Sequence, residues 1–207
     1  MARWYLVRHG ETAWNAEERI QGQSDVPLHD AGRREAAITG ARLSDTRFAA
    51  VFASDLSRSY ETARIILDAQ STDAVPDISP STNLREISYG IFEGMTWAEI
   101  RDMDPRMGDR QHTRDLDFAP ERGESFRQVL GRVAEFGREL AARHGDDDVL
   151  VVGHGGSLRA LAVSLLGLPD EAFWRLRGLK PASISIVLRD RGGPPALTVW
   201  NDTGHLL

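Results

Sequence analysis

Four polar residues follow predicted apolar runs directly or within a few positions, and a fifth lies in a further segment. Arg8 and His9 follow one apolar run, Arg58 comes shortly after a second run, and His154 directly follows a third. Glu86 lies between apolar residues in a fourth segment. Ligands of open α/β sheets bind at the carboxyl ends of the strands, so we expect these five side chains to converge on one spot.

These residue types suit the transfer of a phosphoryl group. A neutral imidazole is a competent nucleophile toward phosphorus. Two arginines offer forked N–H donors to the phosphoryl oxygens. Phosphoryl transfer depends more on such donors than on covalent catalysis. The glycines around His154 lead into a predicted helix, whose first N–H groups favour anions. A glutamate can protonate the leaving oxygen and later deprotonate the attacking water. With this many positive groups, the chemistry requires no metal ion.

Apolar runs of strand length alternate with helical patterns along the chain. We expect strands at 4–7, 50–53, 149–152, 183–188 and 196–200, helices at 35–43, 56–67, 125–142 and 157–166, a loop at 71–81 and a hairpin connection at 189–195. This alternation predicts an α/β fold, a three-layer α/β/α sandwich with a mostly parallel sheet. The 207 residues favour a single domain over 1–207, in which the weakly patterned stretch 95–122 is interpreted as an insertion or lid.

Composition narrows the class of protein. The chain is 41% hydrophobic and 27% charged, as in ordinary soluble globular proteins, and no apolar run reaches the length of a membrane span. It has no cysteine, and its first residues lack the apolar core of a signal peptide, so we expect a cytoplasmic location. The net charge of −6 argues against nucleic acid as a partner, and we expect no membrane partner.

Three other hydrolytic chemistries lack their sequence signals. Asp115 and Asp117 have the spacing of an aspartyl-phosphate phosphatase, but polar residues rather than an apolar strand precede them. The glycine-rich segment at His154 lacks the Gly-x-Ser-x-Gly turn of a serine hydrolase. The chain also has no Gly-Lys-Ser/Thr phosphate loop.

Four ordered segments resemble the signature segments of the histidine phosphatase superfamily, which has the phosphoglycerate mutase-like fold. They are Leu-Val-Arg-His-Gly-Glu-Thr at 6–12, Ser-Asp-Leu-Ser-Arg at 54–58, Leu-Arg-Glu at 84–86 with Tyr-Gly at 89–90, and Val-Gly-His-Gly-Gly at 152–156. The resemblance runs from 4 to 206 and fails only at 95–122. It favours the bacterial phosphatase branch of the superfamily.

The resemblance implies a role for each matching residue. It makes His9 the nucleophile that carries a phosphohistidine, and it makes Glu86 the proton donor to the leaving group. Arg8, Arg58 and His154 become the phosphate pocket. The substrate-binding set that it implies is Asn15, Gln21, Gly22 and Gly155. It implies no cofactor and no metal.

The sequence favours a metal-independent phosphomonoesterase over two alternatives. Mutases of the family carry an Arg-His pair where this chain has Ile87 and Ser88, and the stretch 95–122 has a net charge of −2, a poor clamp for a bisphosphorylated intermediate. Phosphoglycerate mutase activity is the second interpretation, and a non-catalytic phosphate-binding module is the third. The expected partner is a small phosphorylated metabolite, such as phosphoglycerate, phosphoserine, a sugar phosphate or ribazole phosphate. A homodimer is compatible with the sequence.

Single residues also fit structural roles. His9 would suit a strand-end histidine bonded to backbone, His154 a tight strand-to-helix turn, and Glu86 a solvated turn. Trp97 and Trp174 fit the rim of a substrate cavity and core packing equally well. The combination of distant segments is what favours a catalytic site.

Overall fold

The computed structural model describes residues 1–72, 74–109, 114–190 and 193–207. Its strands are β1 (Ala2–Arg8), β2 (Ala50–Ser54), β3 (Ile78–Ser81), β4 (Val149–Gly153), β5 (Ile184–Arg189) and β6 (Ala196–Asp202). Its α-helices are α1 (Ala13–Ala16), α2 (Asp30–Leu43), α3 (Ser57–Asp68), α4 (Trp97–Met103), α5 (Phe126–His144) and α6 (Gly155–Leu165). Short 3-10 helices lie at Thr82–Leu84, Gly90–Phe92, Pro105–Gly108, Asp170–Trp174 and Gly204–Leu206.

The strands form one sheet in the order β3-β2-β4-β1-β5-β6. The neighbours β3, β2, β4 and β1 pair in parallel, whereas β5 runs antiparallel to both β1 and β6. The mostly parallel sheet predicted from the sequence is therefore confirmed. The carboxyl ends of four adjacent parallel strands lie at one edge, where the loops that follow them meet.

Helices cover both faces of the sheet. On β1, Trp4 and Leu6 pack into one apolar cluster with α5 and α6, while Tyr5 and Val7 pack into a second cluster with α2 and α3. Successive side chains of a strand point to opposite faces, so the apolar run of β1 supplies both clusters. This arrangement confirms the three-layer α/β/α sandwich.

Helix α5 shows why the sequence pattern was informative. Ser125 accepts a hydrogen bond from the backbone N–H of Gln128, and the Gln128 side chain accepts one from the Ser125 N–H, which satisfies two free donors at the helix start. Val129, Val133 and Phe136 recur at helical spacing and are all buried against the sheet.

The loop predicted at 71–81 is partly wrong, because its last four residues form β3. Their Ser- and Pro-containing sequence has no apolar alternation, and backbone pairing with β2 makes them a strand. Pro80 is tolerated because β3 lies at the edge of the sheet, where a strand needs no second hydrogen-bonding partner. The strand brings the chain to the segment that carries Glu86.

The stretch 95–122 contains α4, which the sequence analysis missed. A capping box between Thr96 and Glu99 begins this short helix. Ile100 then packs with Ile20, Phe92 and Met107 into a third apolar cluster. The interpretation of 95–122 as an insertion or lid stays a prediction, as does the single domain. Residues 110–113 of this stretch and 191–192 of the predicted hairpin connection lie outside the described residues.

Across the ranges that the structure describes, no helix is both long and apolar enough to span a membrane.

We expect Ile100→Ala to lower the free energy of unfolding by about 2–5 kcal/mol, because it leaves a cavity in this cluster. Ile100 is fully buried, whereas Met103 of the same helix is 49% exposed. Met103→Ala is the matched control and should change stability by less than about 0.5 kcal/mol. Urea denaturation of both variants measures the difference. An equal, small effect of the two substitutions would show that α4 does not fold cooperatively with the sheet.

Candidate active site

The pairing of β1 with β4 places two histidines side by side. Arg8 lies opposite Gly153 in the parallel register, so His9 and His154 are the next residues beyond these strands. Their rings stand 5.0 Å apart between centroids at an interplanar angle of 61°. Both side chains are buried, with 3% and 0% exposure.

The backbone holds His9 in a single neutral form. The Nδ1 atom of its ring lies 2.7 Å from the carbonyl oxygen of Gly10. A carbonyl only accepts, so Nδ1 carries the proton and Nε2 keeps the lone pair. Burial, followed by the charges of Arg58 and Arg8, holds the pKa of His9 well below its usual value. The ring is therefore neutral at physiological pH, as a nucleophile must be.

The carbonyl that orients His9 is itself fixed. The N–H of Gly10 donates to the hydroxyl of Thr62 on α3 at 3.1 Å. A Cβ at Gly10 would lie 2.3 Å from the carbonyl oxygen of Gly32, so only glycine allows α2 to approach this loop so closely. Contacts with both α2 and α3 thus set the position of the ring.

Arg58, in the first turn of α3, is completely buried. Its Nη1 donates to the carbonyl of Ser24 at 2.8 Å, its Nη2 to the carbonyl of Gly22 at 2.7 Å, and its Nε to Nδ1 of His154 at 3.3 Å. Burial lowers the pKa of Arg58 to about 10, so the guanidinium stays charged at neutral pH. The structure thus places a buried, oriented cation beside both histidines.

His154 is neutral in the arrangement that the structure shows. Its Nδ1 accepts from Arg58, so the proton lies on Nε2, which donates to the hydroxyl of Ser59 at 3.2 Å. Burial, together with the charges of Arg58, His9 and Arg8, lowers its pKa well below the usual value. The sequence left open whether His154 is a cation or a donor, and this geometry favours the neutral donor.

Glu86 binds the N-terminus of α6. Its two carboxylate oxygens accept from the N–H of Gly156 at 2.9 and 3.0 Å, and one of them also accepts from the N–H of Ile87 at 3.0 Å. A Cβ at Gly156 would lie 2.2 Å from the carboxylate, so glycine is required for this contact. The second glycine after His154 therefore positions Glu86 beside the histidines.

The segment before Glu86 is tied to α5 by Arg132. This guanidinium donates to the carbonyls of Asn83, Arg85 and Glu86 at 2.8, 2.8 and 2.9 Å. It also forms an ion pair with Glu124, with Nε and Oε1 2.9 Å apart. The sequence analysis assigned no role to this pair, since neither residue belongs to a segment that resembles the family signature.

Glu93 is a second framework residue that the sequence analysis did not assign. Its carboxylate accepts from the backbone N–H groups of Gln23, Ser24 and Tyr89 at 2.9–3.1 Å. Gly22 has a φ of +54°, and a Cβ there would lie 2.1 Å from the carboxylate. Glu93 thereby shapes the loop whose carbonyls bind Arg58. Glu93 lies three residues after the matching Tyr-Gly segment at 89–90, but spacing alone does not show the contact.

The remaining predicted residues line two adjoining cavities. The smaller, of about 180 Å³, is named the histidine cavity and is lined by His9, His154, Arg58, Asn15, Gln21 and Gly22, among others. The larger, of about 610 Å³, is named the aromatic cavity and is lined by Gly155 with Trp97, Phe126, Phe173 and Trp174, among others. Arg8, Glu86, Tyr89 and Trp97 line both. Of the predicted set, Gly155 alone faces only the larger cavity.

Two groups in the histidine cavity have free hydrogen-bonding capacity. The Nη1 of Arg8 donates to the carbonyl of Leu179, but its buried Nε finds no acceptor among the described residues. The Oδ1 of Asn15 accepts from the N–H of Thr12 at 3.2 Å, so its Nδ2 donors are left for the cavity. Within the same described ranges, no three His, Asp or Glu side chains are grouped as a metal site would require. The donors available suit an anion.

Comparison with known proteins shows which family has this sequence and fold. The model of the histidine phosphatase superfamily, branch 1, matches residues 4–203. A metal-independent phosphoserine phosphatase of Arabidopsis thaliana is 34% identical over 97% of this chain and 82% of its own. A probable phosphoglycerate mutase of Enterobacter is 37% identical over 89% of this chain and 84% of its own.

A solved structure extends the likeness to three dimensions. A mycobacterial glucosyl-3-phosphoglycerate phosphatase, in complex with VO3, superposes with a TM-score of 0.85 at 32% identity, over 98% of this chain and 100% of that one. The fold is accordingly the phosphoglycerate mutase-like fold. The chain belongs to the histidine phosphatase superfamily and is a phosphatase of that family.

Proposed function

We propose that this phosphatase is a metal-independent phosphomonoesterase that acts on small phosphorylated metabolites through a phosphohistidine on His9. The observation that carries the proposal is the neutral His9 ring, whose Nδ1–H is held by Gly10. That hydrogen bond leaves Nε2 as the nucleophile, and the ring lies beside buried Arg58. Relatives named as phosphatases support the class of reaction. The substrates in their names are not assigned to this protein.

The first step transfers the phosphoryl group to the enzyme. Arg58, Arg8 and the Nδ2 of Asn15 surround the phosphoryl oxygens as donors, and His154 lines the same cavity with its N–H held by Ser59. Nε2 of His9 forms a bond to phosphorus while the ester P–O bond breaks. The leaving oxygen takes a proton from Glu86, which acts as the general acid. The Gly10 carbonyl stabilises the positive charge that develops on the phosphorylated ring.

The second step returns the enzyme to its starting form. The Glu86 carboxylate accepts a proton from water, whose oxygen attacks phosphorus as the N–P bond to His9 breaks. Inorganic phosphate leaves, and Nε2 regains its lone pair. Glu86 suits both roles because it lines both the histidine cavity and the aromatic cavity, between the phosphoryl group and the departing alcohol.

Mutase activity requires the phosphoryl group to return to a second hydroxyl of the same substrate. The Enterobacter relative is named a probable phosphoglycerate mutase, which makes this the second candidate. From the described part of 95–122, one charged side chain, Arg114, lines the aromatic cavity beside apolar ones such as Trp97 and Met107. Ile87 and Ser88 stand where mutases of the family carry an Arg-His pair, which favours hydrolysis over the return of the phosphoryl group. The cytoplasmic location stays a prediction from the sequence.

His9→Ala should abolish hydrolysis of p-nitrophenyl phosphate, with kcat lower by about 10³-fold or more, since the nucleophile is lost. Wild-type turnover should be unchanged by EDTA. Phosphate release is measured in both proteins with and without the chelator, and product analysis with phosphoglycerate separates hydrolysis from isomerisation. Equal turnover in the variant would remove His9 from the mechanism, and isomer formation without phosphate release would favour the mutase.

Glu86→Gln should slow alkyl phosphates far more than p-nitrophenyl phosphate, by about 10²-fold or more against less than about tenfold. An alkoxide must be protonated as it leaves, whereas p-nitrophenolate departs unaided. The ratio of kcat/KM for the two substrates is compared between variant and wild type. Glu139→Gln, a change at an exposed glutamate on α5, is the control. Equal slowing of both substrates would contradict proton donation.

The two buried histidines should make the fold weaker at acidic pH. Their pKa values are depressed in the folded protein, so below pH of about 6.5 the unfolded chain binds protons that the folded one does not. The free energy of unfolding should fall by about 2 kcal/mol between pH 7 and 5.5 from this cause. His9→Asn should remove about half of the loss, as urea denaturation at both pH values would show. An identical pH dependence in the variant would mean that the pKa of His9 is the same in the folded and the unfolded chain.

A further inference from the structure

The aromatic cavity holds two buried donors that the proposed reaction does not use. Nε of Arg159 and Nε1 of Trp174 are both buried, and neither finds an acceptor among the residues that the structure describes. An unpaired buried donor costs free energy, so such groups in a cavity wall indicate a ligand that accepts from them. Both residues line this cavity.

Arg159 is held firmly enough to act as a binding group. Its Nη2 donates to the carbonyl of Phe173 at 2.7 Å, and its guanidinium carbon lies 4.0 Å from the centre of the Phe173 ring. Phe173 also contacts the rings of Trp174 and Phe126, with centroids 4.9 and 4.8 Å away. These contacts fix the guanidinium against an aromatic wall, and its buried Nε has no acceptor among the described residues.

The position of Arg159 relates the cavity to the reaction. It lies three residues after Gly156, whose N–H binds Glu86, and both Arg159 and Glu86 line the aromatic cavity. Glu86 lines the histidine cavity as well, whereas Arg159 lines only the aromatic cavity. A group that leaves past Glu86 enters the space that Arg159 and Trp174 border.

The charge of the aromatic cavity favours an anion. Among its described lining residues are four arginines, Arg8, Arg114, Arg159 and Arg177, and two glutamates, Glu86 and Glu124. Glu124 is neutralised by its ion pair with Arg132, which does not line the cavity. A cavity with aromatic walls and excess positive charge suits a body that is apolar and carries an acid group.

Resting on the proposed function, we propose that Arg159 and Trp174 form a leaving-group subsite that selects phosphomonoesters of apolar or aromatic alcohols bearing a carboxylate. The body of the alcohol packs on Phe173 and Phe126. Its carboxylate accepts from Nε of Arg159 and from the indole N–H of Trp174. The subsite determines specificity and takes no part in the transfer of the phosphoryl group.

The test uses two aryl esters that differ in one group, para-carboxymethylphenyl phosphate and para-ethylphenyl phosphate. Arg159→Met should lower kcat/KM for the carboxylate ester by about tenfold or more, mainly through KM, and for the ethyl ester by less than about threefold. Arg159→Lys should recover part of the loss. Arg175→Met, at an exposed arginine that does not line the cavity, is the control and should change neither ester. An equal effect of Arg159→Met on both esters would overturn the subsite.

Two further measurements keep the subsite testable. Trp174→Phe keeps an aromatic ring but removes the N–H, so it should lower kcat/KM selectively for the carboxylate ester, by less than Arg159→Met does. This variant tests the subsite even if Arg159→Met folds poorly. Calorimetric titration with para-hydroxyphenylacetate, the free alcohol, needs no turnover. Its affinity should fall about tenfold or more in Arg159→Met and stay unchanged in His9→Ala. If the wild type hydrolyses neither ester while the affinities for para-hydroxyphenylacetate change as expected, the proposed function alone is refuted. Unchanged affinity in Arg159→Met would refute the subsite.

Discussion

The site depends on keeping the guanidinium of Arg58 charged inside the protein. A buried cation is costly unless its donors are satisfied. Two main-chain carbonyls, from Gly22 and Ser24, and the Nδ1 of His154 accept from three of its five N–H groups, which leaves two for a phosphoryl oxygen. Glu93 binds the N–H groups of Gln23 and Ser24 and so helps to shape the loop that carries these carbonyls. The charge of Arg58 therefore adds to the effect of burial, which keeps both histidines neutral, and it favours an anionic ligand.

The same charge explains why the two histidines differ in role although they lie side by side. Arg58 donates to Nδ1 of His154 and so assigns its proton to Nε2, where Ser59 accepts it. His9 receives no such bond from the arginine and is instead set by the Gly10 carbonyl, which assigns its proton to Nδ1. His9 thus keeps the lone pair of Nε2 for nucleophilic attack, whereas both ring nitrogens of His154 are held by Arg58 and Ser59. The two side chains are chemically identical, and their different hydrogen-bond partners make the difference.

The sequence predicted the features that depend on local pattern. The strands that precede His9 and His154 are continuous apolar runs, and the amphipathic pattern of α5 begins with its own capping box. Four of the five expected catalytic residues follow such elements directly or within a few residues. Glu86 instead follows β3, an edge strand that contains a proline. This strand forms because it pairs with β2, and its own sequence does not predict it.

The framework of the site could not be read in the same way. Arg132 contacts carbonyls 46–49 residues earlier in the chain, and Glu93 contacts N–H groups 69–70 residues earlier. Main-chain carbonyls and N–H groups are present at every residue, so no residue type marks these partners in advance. The roles of Gly22 and Gly156 likewise depend on which carboxylate comes close to them in the fold.

Placing Glu86 on Gly156 has a consequence for how the enzyme divides its tasks. The contact brings the carboxylate to the start of α6, between the histidine cavity and the aromatic cavity. The donors for the phosphoryl group lie before it, and Phe126, Phe173 and Trp174 lie beyond it. Because few side chains border both spaces, substitutions in the aromatic wall can alter which alcohol is accepted while Arg58 and His9 keep their positions. The buried cation constrains one cavity tightly and leaves the other free to vary.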